Sequence, residues 1–130
     1  MTVKTFLILL LVLITSQTVF AYFEEDVQRL LETNSCEQCD LTEANLTNAN
    51  LKYASLSGAD LTGADLREVD LGYANVDRAN FSGANIAYGL LNDANLSGAI
   101  FRGTNLNGVD LTGANVSRVD LTETNLSEAI

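Results

Sequence analysis

The sequence contains no histidine, no tryptophan and no proline, and only one methionine and two cysteines in 130 residues. Each absence excludes something. Without histidine the commonest general base and the commonest zinc ligand are both missing. A structural zinc site needs four ligands, and a single cysteine pair does not supply them; neither a metal nor a cofactor is expected. Basic residues are scarce as well: 7 Lys+Arg stand against 17 Asp+Glu, a formal net charge of −10. Such a surface repels nucleic acid and anionic membranes. The longest apolar run, Phe6 to Ile14, falls well short of the roughly 20 residues that cross a bilayer.

That run belongs to a targeting segment. Lys4 precedes it, and the polar stretch from Thr15 ends in Val19-Phe20-Ala21, with small residues at the two outer positions. Charge, length and ending are those of a secretory signal peptide cleaved after Ala21. Cleavage removes Lys4 and leaves 6 basic against 17 acidic residues, a net charge of −11. No cysteine sits at the cleavage point, so no lipid anchor is indicated, and no stable membrane insertion is expected after cleavage. The chain thus divides into a signal (1–21), a helical cap with a cysteine-containing turn (22–38) and a repeat (39–130).

In the repeat a large apolar residue recurs every five positions, from Leu41, Leu46 and Leu51 to Leu121 and Leu126, through eighteen pentads without insertion or deletion. Two residues before each stands a small residue, usually Ala. Asn or Asp usually comes one before, and Thr or Ser one after. Gly occupies the next position in seven pentads, at 58, 63, 83, 98, 103, 108 and 113. A five-residue step walks around all sides of a helix at about 3.6 residues per turn, and a strand alternates its faces every residue. Neither element buries this set. A coil that turns a corner every five residues buries it, with the large and small residues inside and the polar positions outside.

The pattern A-(D/N)-L-x-x, as in A-N-L-T-N, A-D-L-T-G and A-N-L-S-G, resembles the pentapeptide-repeat family over residues 39–130. The resemblance implies an all-β repeat solenoid, a right-handed quadrilateral β-helix with four pentads per coil. Eighteen pentads then make 4.5 coils, a column of roughly 22 Å at strand spacing. Positions twenty apart stack. Leu41, Leu61, Phe81, Phe101 and Leu121 form one interior column, and Leu56, Val76, Leu96 and Val116 another.

A stacked coil leaves unpaired backbone at its ends. Phe23, Val27, Leu30 and Leu31 follow helical spacing and predict an amphipathic cap, with Glu24, Glu25 and Asp26 at its positive end. The last pentad, L-S-E-A-I, shows no cover; the expected state is a monomer or a weak end-to-end dimer.

Cys36 and Cys39 form a C-x-x-C, and three readings compete. A metal site lacks ligands. A redox pair normally lies at a helix N-terminus, whereas this one follows the cap, beside Glu37 and Asp40. A short structural disulfide in an oxidising compartment fits best. Departures from the repeat mark a second candidate. Tyr53 and Tyr73 stack on the face that carries Leu90, and Tyr88 lies just before the corner into it, giving an aromatic-apolar strip for a protein partner. Asn45, Asn85, Asn105 and Asn125, with Asp65, form a ladder that hydrogen-bonds the turns. Sequons begin at Asn45, Asn80, Asn95, Asn115 and Asn125 and have meaning only in a eukaryotic secretory host. No nucleophile–base pair or phosphate loop is apparent, so the chain is read as no enzyme.

Three functions follow. The first is a non-catalytic exported scaffold or protein-interaction module; the L-L-E-T-N-S-C-E-Q-C-D-L segment resembles family members of the cyanobacterial periplasm and thylakoid lumen. The second is an acidic DNA mimic that protects a topoisomerase, which the signal peptide disfavours. The third is a C-x-x-C redox protein.

Overall fold

A chain that turns a corner every five residues must find a partner for five backbone N–H groups per pentad. The computed structural model, which describes residues 24–130, shows the pattern they follow. The N–H of the large interior residue donates to a carbonyl nineteen residues on, as Leu41 does to Asp60 at 2.7 Å, and the N–H two later does the same, Glu43 to Thr62 at 2.9 Å. The N–H just before the large residue donates backward, Asp60 to Cys39 at 2.9 Å. A fourth closes the corner, Ala44 to Leu41 at 3.1 Å. The fifth, one after the large residue, faces outward, where the Asn or Asp side chain two positions earlier accepts it: Thr42 N–H to Asp40 Oδ1 is 3.1 Å. This local side-chain acceptor explains why Asn and Asp dominate that position.

The result is a four-sided coil. Parallel bridges link every fifth residue to the one twenty positions on, from Ser35↔Ser55 to Asn105↔Asn125. Each side carries one pentad, and residues ten apart lie on opposite sides. The third residue of every corner has positive φ, between 55° and 73°; seven are glycines and twelve are not, including Tyr53, Tyr73 and Tyr88. A left-handed conformation costs a non-glycine residue about 1–2 kcal/mol. The ladder of inter-coil bonds overrides that preference twelve times in one chain.

The interior is filled. Leu41, Leu61, Phe81 and Phe101 are 0–1% exposed, and the Phe81 and Phe101 rings stack at 4.8 Å with 2° between their planes. Small-residue columns show size compensation. Gly89 lies between Val69 and Val109 in a column where Ala is usual, and a Cβ there would sit 3.3 Å from Val69 Cγ1 and 3.0 Å from the Ile86 carbonyl oxygen. Thr104 and Thr124 occupy the same inward position elsewhere and donate their hydroxyls to the Phe81 and Phe101 carbonyls, at 2.6 and 2.7 Å.

At one end a helix, residues 24–33, closes the column. Leu30 is fully buried on the core and Val27 packs beside it, but Leu31, expected on that buried face, is 57% exposed. The helix touches the coil along a narrower stripe, one residue per turn. Phe23 and the signal segment lie outside the described residues. Asp26 ties the helix down: its carboxylate accepts the Asp40 N–H at 2.9 Å and pairs with Arg29. Asn34 ends the helix in the left-handed conformation, φ 57°, a common C-terminal signal, and its amide reaches the Lys52 carbonyl at 2.7 Å. At the other end, Val116, Leu121 and Leu126 of the interior columns are 41–51% exposed.

Candidate functional site

Two places depart from the repeat. The first is the joint between helix and coil. The repeat geometry begins one pentad before Leu41: Ser35 makes the first bridge, Gln38 has φ 56°, and Cys36 takes the large interior position. Cys36 and Cys39 are therefore the first and last residues of a corner. The eighteen later corners each close with a backbone bond between those two positions. No such bond closes this first one among the described residues; a disulfide does, with Cα atoms 5.4 Å apart. Both sulfurs are buried, and the Asp26 carboxylate lies within 4.8 Å of them. Paired to each other, the sulfurs are not thiolate ligands, so Asp26 alone could offer charge to a cation here.

The second place is the side built on Leu51, Leu71, Leu91 and Leu111. Tyr53 and Tyr73 stand at its far corner, rings stacked at 5.2 Å and 21°. They are 67% and 48% exposed. Lys52 Nζ sits 5.7 and 5.5 Å from the two ring centroids, within cation–π range. Asp93, next in that column, pushes the Tyr73 hydroxyl pKa above its ordinary value by accepting a hydrogen bond from it and by its negative charge. Tyr88 stands at the near corner, and its ring lies against Gly108, where a Cβ would meet Tyr88 Cδ1 at 2.6 Å. Leu90 follows Tyr88 by two residues, at the start of this side, bridged to Asp70 and Asp110.

The structure thus brings Tyr53 and Tyr73 into contact, sets Leu90 on the same side, and keeps Tyr88 at the opposite corner without ring contact to the other two. Sequence reasoning missed Lys52 and Asp93. The twenty-residue register placed both beside the tyrosines and could have found them.

Leu90 has a further effect on its surroundings. The outward N–H is capped by an Asn or Asp side chain in fifteen pentads. The four exceptions have Ser35, Ser55, Leu90 or Ile100 at the capping position. Leu90 leaves the Asn92 N–H, on the same side as the tyrosines, without an acceptor among the described residues. Ile100 does so for Arg102 on the opposite side.

Of the ladder expected at Asn45, Asp65, Asn85, Asn105 and Asn125, inter-coil amide bonds join the last three, while Asn45 caps the Thr47 N–H and Asp65 pairs with Arg67; a second ladder runs through Asn75, Asn95 and Asn115. Asn105 donates to Asn85 at 3.0 Å and Asn125 to Asn105 at 3.2 Å, while Asn95 donates to Asn75 at 2.9 Å and Asn115 to Asn95 at 3.1 Å. Their amides are engaged in the column itself.

Comparison with known proteins agrees with this geometry. The family described as "Pentapeptide repeats" matches in eight copies over residues 35–67, 64–88 and 90–127. The gap falls at Gly89. Among solved structures, the chain resembles QnrB1, a plasmid-mediated fluoroquinolone resistance protein, at 19% identity and a TM-score of 0.57, covering 73% of this chain and 55% of that one. It also resembles HetL, a pentapeptide repeat protein involved in heterocyst differentiation regulation from the cyanobacterium Nostoc sp. strain PCC 7120, at 33% identity and a TM-score of 0.36 over 72% of this chain and 49% of that one. A pentapeptide repeat protein of the Arabidopsis thaliana thylakoid lumen is similar at 27% identity and a TM-score of 0.48, over 69% and 63%. The chain spans about half the length of the first two. No curated protein sequence matches it.

Proposed function

The chain belongs to the pentapeptide-repeat family, whose members form right-handed quadrilateral β-helices, and on that premise we propose that it is an exported, non-catalytic scaffold that holds a protein partner on its side surface. One observation carries this reading. The interior is packed with side chains that are almost wholly buried, while Tyr53, Tyr73, Tyr88 and Leu90 stand 44–67% exposed on or beside one side. A filled column offers its outside, and an exposed aromatic-apolar strip on a polar column is the feature that marks partner surfaces. Export is supported by Lys4, the apolar run Phe6–Ile14 and the Val19-Phe20-Ala21 ending. The periplasm or thylakoid lumen is the compartment we assign, because the cysteine segment resembles family members found there and a disulfide needs an oxidising environment. In this reading Cys36 and Cys39 hold the joint between cap and column.

Capture from the exported fraction, with the protein as bait, tests the proposal. Tyr53→Asn with Tyr73→Asn is the control, because asparagine tolerates the left-handed conformation there. A partner retained by the wild type and lost by the double variant is expected. Equal capture by both would remove the strip from the reading.

A second reading rests on charge. A column of net −11 after cleavage has the acidity of a DNA mimic. A gyrase supercoiling assay with the protein separates the two: protection would favour the mimic, and no effect favours the scaffold.

A further inference from the structure

Leu90 replaces the residue type that caps the corner in fifteen other pentads, and it does so in the middle of the strip. We propose that this side docks an extended, positively charged peptide segment of a protein partner, through a backbone carbonyl on the Asn92 N–H and an apolar side chain on Leu90. The inference rests on the strip being the partner surface proposed above.

Three observations select this occupant. First, the Asn92 N–H has no acceptor among the described residues, whereas fifteen equivalent groups are bonded to a side-chain oxygen two residues back. The position that would accept it is the one an Asn or Asp oxygen takes in those pentads, on the outside of the column. A carbonyl of an extended backbone fits it, and such a backbone places side chains at alternate residues for the surface beside it. Second, the group beside that N–H is Leu90, 44% exposed and set between Asp70 and Asp110 in its column. Third, the charges facing outward on this side are Asp70, Asp93 and Asp110 against Lys52, and Lys52 already lies over the tyrosine rings. A segment carrying Lys or Arg is attracted there, and an acidic one is repelled. Tyr53–Tyr73 at one corner and Tyr88 at the other bound the site.

The molecule contains its own control. Ile100 makes the same substitution beside Arg102, but on the opposite side, with no tyrosine near it in its column and with Arg102 paired to Asp120 at 3.4 Å. It has the bare N–H and an acidic column neighbour, Asp120, which Arg102 pairs, but no aromatic surround.

A displayed library of random nonapeptides, selected on the full chain, tests the proposal. Enriched peptides are expected to combine Lys or Arg with an apolar residue, to move the Asn92 amide resonance downfield, and to weaken as salt is raised. Leu90→Asn restores the cap, so it should melt no lower than the wild type yet bind the peptides about tenfold or more weakly, the factor that one lost anchor of ordinary strength gives. Ile100→Asn should bind as the wild type does. Peptides that bind Leu90→Asn equally well, acidic winners, or a selection without enrichment would each overturn this docking mode. The capture comparison with the tyrosine variants is independent of that result and still decides whether the strip is the partner surface.

Discussion

The Phe81–Phe101 stack gives the fold a quantitative test. Both rings are almost wholly buried, and they face each other at 4.8 Å, so each forms part of the wall of the other's site. Truncating either to alanine should destabilise by about 3–5 kcal/mol, the range for a buried phenylalanine. Because the rings share a contact, the second truncation enlarges a cavity already opened by the first. The double variant should then lose about 0.5–1.5 kcal/mol less than the two single losses combined, the coupling ordinarily carried by an aromatic pair. Each coil of a solenoid contacts only its neighbours, so the effect belongs to two adjacent coils and leaves the helix end unaffected. Urea unfolding followed by circular dichroism measures all four corners of the cycle, with Phe→Leu variants serving where the alanine forms are too weak. Losses that add to within about 0.3 kcal/mol would refute the shared cavity. A Phe81→Ala loss under about 1 kcal/mol would refute the interior assignment itself.

Gly89→Ala restores the commonest residue of its position, yet it should destabilise by about 1 kcal/mol, because the new methyl meets Val69 and the Ile86 carbonyl; adding Val69→Ala should recover part of the loss in the same melts. Replacing both cysteines by serine opens a loop of four residues and should remove about 2 kcal/mol by the chain-entropy estimate; unfolding with and without reductant reads it, and an unchanged midpoint would discard the joint as a stabilising element. Folding lowers the carboxyl pKa of Asp65 through Arg67, Asp77 through Ser57, and Asp110 and Asp120 through Thr112 and Thr122. Their contribution is therefore present above the unfolded carboxylate range and lost as pH falls through the lowered native values, so the melting temperature should hold from pH 7 to about 5 and decline below about pH 4. The Tyr73 hydroxyl should ionise above the ordinary tyrosine value in an absorbance titration, and Asp93→Asn should bring it down.

Much of the architecture was legible because the repeat is strict. Counting in fives and stacking in twenties placed Phe81 on Phe101 and Tyr53 on Tyr73 before any coordinates. What was less legible came from requirements that several residue types can meet. Glycine fills only seven of the nineteen left-handed corners, so the backbone conformation of the rest is invisible in composition. Gly89 reads as an irregularity until Val69 and Val109 are set beside it. Cys36 reads as part of a linker because it is a cysteine where leucine is usual, although its position is the interior one. Leu31 satisfied helical spacing but lies outside the narrow stripe that a flat coil end can cover. The strip was readable as a list of exposed residues; the bare Asn92 N–H was not, since its significance depends on what Asp and Asn do in the other pentads.

The twenty-residue register has a consequence for how such a surface can change. Every pentad presents the same backbone bonds, so the column has no privileged place at which a unit must be added or lost. Duplicating five residues between Tyr73 and Tyr88 would keep the interior filled and the ladder intact, yet rotate everything downstream by a quarter turn. Leu90 and Tyr88 would move to the next side, away from Tyr53 and Tyr73. Duplicating twenty would restore their alignment one storey further along. Five-residue steps therefore act as a dial and twenty-residue steps as a ruler, and a lineage or an engineer could rewrite which side chains share a wall without repacking the core.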